Sequence, residues 1–184
     1  MISLLQIAPT LAEYFNVPLS SPARPVEQIL AFVYSRYTLP PVVALLVIDS
    51  LDFWLYSEFA GELRCLHELA QGQKGLIFEC ETVSSHTTPA IGSILSGLEP
   101  RVHGIFSNND VGKSKIKSIL EILEDDKKKT AIVIETGGAK PLLGRISHVC
   151  TVDDREDIIE YDELIKRYTI AVLKKPELKM VFSH

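Results

Sequence analysis

Val42-Val43-Ala44-Leu45-Leu46-Val47-Ile48-Asp49 is an unbroken aliphatic run that ends in one carboxylate. An apolar run with no polar alternation reads as a strand covered on both faces, as in parallel sheets. Thr130-Ala131-Ile132-Val133-Ile134-Glu135 reads the same way, and Leu76–Cys80, His148–Val152 and Leu178–Phe182 are further candidate strands. Helical patterns separate them. Leu51 to Ala70 carries Leu51, Leu55, Phe59, Leu63 and Leu66 at intervals of three to four residues. Ser114 to Glu124 places Ile116, Ile119, Leu120 and Leu123 on one stripe, and Asp154 to Leu173 does so with Ile158, Tyr161, Ile165, Tyr168 and Val172. Strands alternating with helices predict an α/β three-layer sandwich with a mostly parallel sheet.

Residues 1–40 differ in character and are expected to form a helical segment ahead of an α/β domain over 41–184. Pro9 opens a short helix, Thr10 to Phe15; Val17-Pro18-Leu19-Ser20-Ser21-Pro22 and Pro25 form a linker; a second helix runs from about Val26 to Tyr37. Pro40-Pro41 then stops that helix before the first strand.

A chain of 184 residues with 46% hydrophobic and 23% charged residues suits one soluble globular domain. The net charge of −5 argues against non-specific nucleic-acid binding, and no nucleic-acid groove is expected. No apolar stretch approaches the ~20 residues of a membrane span. Met1-Ile2-Ser3-Leu4-Leu5 lacks a basic n-region, so a cytoplasmic location is expected. Cys65, Cys80 and Cys150, without CxxC spacing, read as reduced thiols.

In open parallel sheets, ligands gather beyond the carboxyl ends of the strands. Asp49 occupies such an end. Downstream, Thr87-Thr88-Pro89 reads as a helix start, with Thr88 the expected N-cap and Thr87 just outside it. A phosphoryl group beside Thr87 would meet unpaired backbone N–H groups and a favourable dipole. A threonine hydroxyl is a poor nucleophile at neutral pH, and a divalent metal held partly by Asp49 would activate it. The ordinary alternative is that Asp-Ser and Thr-Thr-Pro are only helix starts. Gly92 and Gly97 are expected to let the helix approach the sheet, and Gly104 to take unusual backbone angles.

The segment resembles the alkaline phosphatase superfamily, in particular its type I phosphodiesterase/nucleotide pyrophosphatase branch. That branch carries a strand ending in a metal-binding Asp, then a pattern close to T-x-P-x-x-x-S-x-x-T-G-x-x-P-x-x-H-G-I. Thr87, Pro89, Ser93, Ser96, Gly97, Pro100, His103, Gly104 and Ile105 fall on it, with Ser96 replacing the usual Thr. The resemblance implies an alkaline-phosphatase-like core. It also implies Thr87 as nucleophile, Asp49 and Thr87 as ligands of a divalent metal, and Asn108 as a contact to a phosphate oxygen. Zinc is the expected ion, two ions in the complete family site. Ala90 replaces an Asn of many nucleotide pyrophosphatases, so their substrate preference does not carry over.

The family's later ligands lie in an Asp-x-x-x-His element, an Asp-His-Gly element and a final His, none of which is recognisable here. Ile7 to Pro18 resembles a segment that the superfamily usually carries near its C-terminus. The chain is therefore expected to be an incomplete phosphodiesterase-like domain. His86 and His184 are secondary candidates for contacting phosphate or metal, whereas His103 is expected to make a structural hydrogen bond. Asp153, Asp154, Glu156 and Asp157 read as helix capping, Phe53 and Trp54 as core, and Gly137-Gly138 lacks phosphate-loop spacing. The expected function is a metal-dependent phosphoric ester hydrolase acting on a phosphate-ester small molecule. The alternatives are a catalytically silent phospho-ligand-binding or scaffold domain and, more remotely, a phosphomutase. An open sheet edge would favour a homo-oligomer.

Overall fold

The computed structural model of the chain describes residues 1–36, 42–72 and 74–184. In chain order the elements begin with β1 (Ile2–Ser3), α1 (Ile7–Phe15), α2 (Glu27–Tyr34), β2 (Val43–Leu46), α3 (Phe53–Glu58) and α4 (Arg64–Gln71). They continue with β3 (Cys80–Glu81), α5 (Thr87–Ser96), α6 (Pro100–His103) and α7 (Ile119–Asp125). The last are β4 (Thr130–Glu135), α8 (Thr136–Ala139), β5 (His148–Val152), α9 (Ile158–Leu173) and β6 (Met180–Ser183).

Strands β2, β6, β4 and β5 lie side by side in that order, all parallel. β4 is buried on both faces from Thr130 to Ile134, as its continuous apolar composition requires. Alternate side chains feed two cores. Ile132, Ile134, Met180 and Phe182 meet α1, α5 and α7 through Ala8, Phe15, Leu95, Ile119 and Leu120. Ala131, Val133 and Val181 meet α9 through Val172 on the opposite face. The result is an α/β/α arrangement of three layers around a parallel sheet. A short parallel pair, β1 with β3, stands apart and pins Ile2 opposite Cys80. Cys65, Cys80 and Cys150 are free thiols. Among the described residues no helix is long and apolar enough to cross a membrane.

Several expectations change. Beyond Val42, which packs on the second core, the run is covered on one face only: Ala44, Leu46 and Ile48 are exposed, while Val43, Leu45 and Val47 pack on the first core. Edge position explains this, because α9 lies over β4, β5 and β6. The expected helix from Leu51 to Ala70 is broken into α3, capped by Asp52, and α4, with a turn around Gly61. Neither buries a residue, and Phe53 and Trp54 are exposed rather than core. Leu76 to Glu79 forms no strand; only Cys80–Glu81 pairs, with β1. α7 starts at Ile119 rather than at Ser114, because Ser118 and Glu121 form a capping box there. Ile158 opens α9 at the surface, and Asp157 caps it by accepting from the N–H groups of Ile159 and Glu160.

At the N-terminus, α1 begins at Ile7, and Pro9 lies within its first turn. The expected Tyr37 end of the second helix, the Pro40-Pro41 stop and the boundary between residues 40 and 41 lie outside the described residues. α1 contributes directly to the first core beside Leu95 of α5. Ser21 adds a second tie, its hydroxyl donating to the Gly97 carbonyl at 2.7 Å. Gly97 ends α5 with φ +71, and a Cβ there would lie 2.9 Å from Pro9 and from Ser21. Conformation and space together demand glycine at this helix end.

Candidate active site

α5 starts at Thr87, two residues earlier than the sequence suggests, with His86 rather than Thr88 in the N-cap position. Thr88 does not cap the helix, because its hydroxyl donates instead to the Asn108 side-chain oxygen. His86 makes no side-chain cap either. The first helical hydrogen bond runs from Ala90 N–H to the His86 carbonyl at 3.2 Å, and Pro89 has no N–H. The backbone N–H groups of Thr87 and Thr88 are therefore the donors that this helix end presents, together with the positive end of its dipole.

Asp49 reaches the same place from the end of the β2 run. Its Oδ2 accepts from the Thr87 hydroxyl at 3.2 Å, and its Oδ1 accepts from the Ser50 N–H at 2.9 Å. Ser50 has φ +58, a left-handed conformation uncommon for a residue other than glycine. That turn follows the carboxylate directly and carries the chain away from the sheet.

Asn108 is held by its own loop. Asp110 accepts from the Ser107 hydroxyl at 2.9 Å and from the N–H groups of Ser107 and Phe106 at 3.0 and 3.2 Å. The Ser107 hydroxyl, then the Phe106 N–H, hold the Asp110 carboxyl below its usual range. With its oxygen turned to Thr88, Asn108 offers its NH2 group as the remaining donor. Thr87, Thr88 and Asn108 line a cavity of about 890 Å³ whose walls include Ile91, Leu95, Phe106, Ile132 and Ile134. Polar and charged side chains, among them Glu121, Glu135, Arg145 and Asp154, share the lining with these apolar ones. A concave site of this size with polar groups set among apolar walls suits a small-molecule ligand.

His103 borders this cavity, but both of its ring nitrogens are engaged within the fold. It is 2% exposed, its Nδ1 accepts from the Ile105 N–H at 3.1 Å, and its Nε2 meets Ser93 Oγ at 3.1 Å. Burial holds its pKa below the ordinary 6.5, against a smaller opposing effect from a Pro89 hydrogen bond. The structural role expected of it is the one it has. The folded chain resists protonation here while the unfolded chain accepts a proton near 6.5, so the stabilisation present above that pH is lost on acidification. Melting temperature should fall as pH drops below 6.5, and His103→Gln should flatten that part of the profile.

Other candidates resolve into structural roles. Gly137 and Gly138 donate their N–H groups to the Glu135 carboxylate at 2.6 and 2.8 Å, so an acidic side chain occupies the place an anion would take. Asp153 accepts from Thr136, Arg155 pairs with Glu160, and Asp157 caps α9. Phe53 and Trp54 are absent from the lining of the cavity at Thr87. Glu121, buried on α7, pairs at 3.2 Å with the largely exposed Arg145, and both line that cavity, a feature without a sequence motif.

The sequence model of the type I phosphodiesterase / nucleotide pyrophosphatase family matches residues 43–141, more than half of the chain. The chain belongs to this family. It is thereby a partial phosphodiesterase domain of the alkaline phosphatase superfamily, of a phosphoester hydrolase-like kind. No curated protein and no solved structure matches it. The matched region carries Asp49, Thr87 and Asn108 and ends at Pro141 on the cavity wall.

The family is generally metal-dependent. Asp49 and Thr87 present two oxygen donors 3.2 Å apart. That separation is near the edge length of a tetrahedron built on bonds of about 2 Å. A carboxylate and a hydroxyl thus fit two adjacent positions around one divalent cation. Among the described residues, no group of three or more His, Cys, Asp or Glu that could hold a metal ion is present.

Proposed function

We propose that this domain hydrolyses a phosphate ester through Thr87, with Asp49 and the Thr87 hydroxyl holding a divalent cation, zinc by expectation. The single observation that carries the reading is the 3.2 Å contact between Thr87 Oγ1 and Asp49 Oδ2. It joins residues 38 apart in sequence at the carboxyl edge of a parallel sheet, where ligands of such folds collect. When bound, the cation would favour the alkoxide form of the nucleophile and offset negative charge near phosphorus. Asp49 orients the hydroxyl. The Thr87 and Thr88 N–H groups and the Asn108 amide would hold the non-bridging oxygens, and the apolar wall would exclude water from the ester. Attack by Thr87 Oγ on phosphorus would form the Oγ–P bond as the ester P–O bond breaks, the leaving oxygen departing as an alcohol with a proton that balances the one lost from Thr87. Water then hydrolyses the phospho-threonine, breaking the Oγ–P bond, releasing the phosphate product and restoring the Thr87 hydroxyl.

A second reading, phospho-ligand binding without turnover, draws on the lack of a three-residue His, Cys, Asp or Glu cluster among the described residues. A chromogenic phosphodiester assayed with excess zinc separates the two. The hydrolase reading expects turnover that stops on chelation and returns with metal. Asp49→Asn should weaken zinc binding by calorimetry by about tenfold or more, on the scale of lost ligand support. Turnover that survives complete chelation would count against this reading, and phosphate binding without turnover would favour the second.

A further inference from the structure

His184 follows β6 and continues the sheet, its N–H donating to the Val133 carbonyl at 3.0 Å while Val47 N–H donates to the Ser183 carbonyl at 2.9 Å. Side chains alternate along a strand, so Met180, Phe182 and His184 share one face. Met180 and Phe182 belong to the core that holds Leu95 of α5, and His184 lines the same cavity as His86 and Thr87. Its strand neighbours on that face are Val47 and Ile134, both apolar. Both ring nitrogens are buried, and neither has a hydrogen-bond partner among the described residues.

An unpartnered buried polar atom is costly, so two of them at a position flanked by Phe182, Val47 and Ile134 call for a compensating group. The lining offers an anion few cationic partners. Arg145 is paired with Glu121, and Glu135 and Asp154 are acidic. A phosphoryl group presents several acceptor oxygens, which suits a ring able to donate an N–H.

We propose that His184 is a substrate-contacting residue that donates a ring N–H to an oxygen of the phosphate group held at Thr87. The proposal rests on the hydrolase or phosphate-binding reading of the site above. The test uses the full chain, 15N-labelled at histidine, with inorganic phosphate as the probe, and with His184→Gln assigning the ring signals.

Phosphate should move the His184 ring nitrogen signals. His184→Leu should weaken phosphate binding roughly ten- to hundredfold, the scale of a lost hydrogen bond to a charged group, without lowering the melting temperature. Unshifted ring signals, or unchanged phosphate affinity in His184→Leu, would overturn the contact. So would zinc alone moving the ring signals with phosphate adding nothing. If the wild-type protein binds phosphate and Thr87→Ala abolishes turnover while His184→Leu changes nothing, only the His184 contact fails. If the wild-type protein neither binds phosphate nor turns over the diester, the underlying reading fails with it.

Discussion

Thr87→Ala is expected to lower turnover of a chromogenic phosphodiester by at least about a thousandfold, the scale on which nucleophile removal acts. The side chain is half-buried, and among the described residues its hydroxyl hydrogen-bonds to Asp49 at 3.2 Å. Stability should therefore change little. A melting temperature within a few degrees of wild type would show that the loss is chemical. Thr87→Ser keeps the hydroxyl on the same helix end and should retain measurable turnover. In an Asp49→Asn background, Thr87→Ala should cost far less than it does alone, because groups that act as a unit are not additive. Turnover of the alanine variant within tenfold of wild type would remove Thr87 from its proposed role.

Gly92→Ala carries the largest expected change in stability, and its sign decides between two effects. Helix propensity alone predicts that alanine inside α5 would stabilise by about 0.5–1 kcal/mol. The contact geometry predicts the opposite. A Cβ at residue 92 would lie 2.9 Å from His103 Cε1 and 3.2 Å from its Nε2. That ring is 2% exposed and is tied to both Ser93 and the Ile105 N–H, so it has nowhere to move without breaking a hydrogen bond. Overpacking of this kind costs about 1–3 kcal/mol. For a chain of this size each kcal/mol shifts the melting temperature by roughly 2–4 °C. In a His103→Ser background the obstacle is gone and Gly92→Ala should be neutral or stabilising. Equal cost in both backgrounds would show that the ring is not what reserves this position for glycine.

The pairing of Gly92 with His103 also marks a limit of sequence reading. Both residues lie inside the matched motif region, yet the glycine was expected to serve approach to the sheet. It makes room instead for a histidine from the next helix. Spacing along a chain reports that two positions are special; it does not report that they touch.

Local composition determined much of the frame. Thr130–Glu135 and His148–Val152 are strands over the residues read from sequence, because β-branched runs of that length suit few other structures. Asp157 caps α9 as the acidic cluster implied, since an N-cap is a local interaction. The placement of a carboxylate at the end of the first aliphatic run was likewise visible before any coordinates. Tertiary structure alone decided which faces are covered and which distant groups meet. Sheet order put β2 at an edge and exposed Ala44 and Leu46, and it brought β6 between β2 and β4 so that His184 faces the cavity. It also set Asn108 against Thr88 and Asp49 against Thr87. The reason is physical: periodicity and capping act over a few residues, whereas burial and convergence depend on partners dozens of positions away.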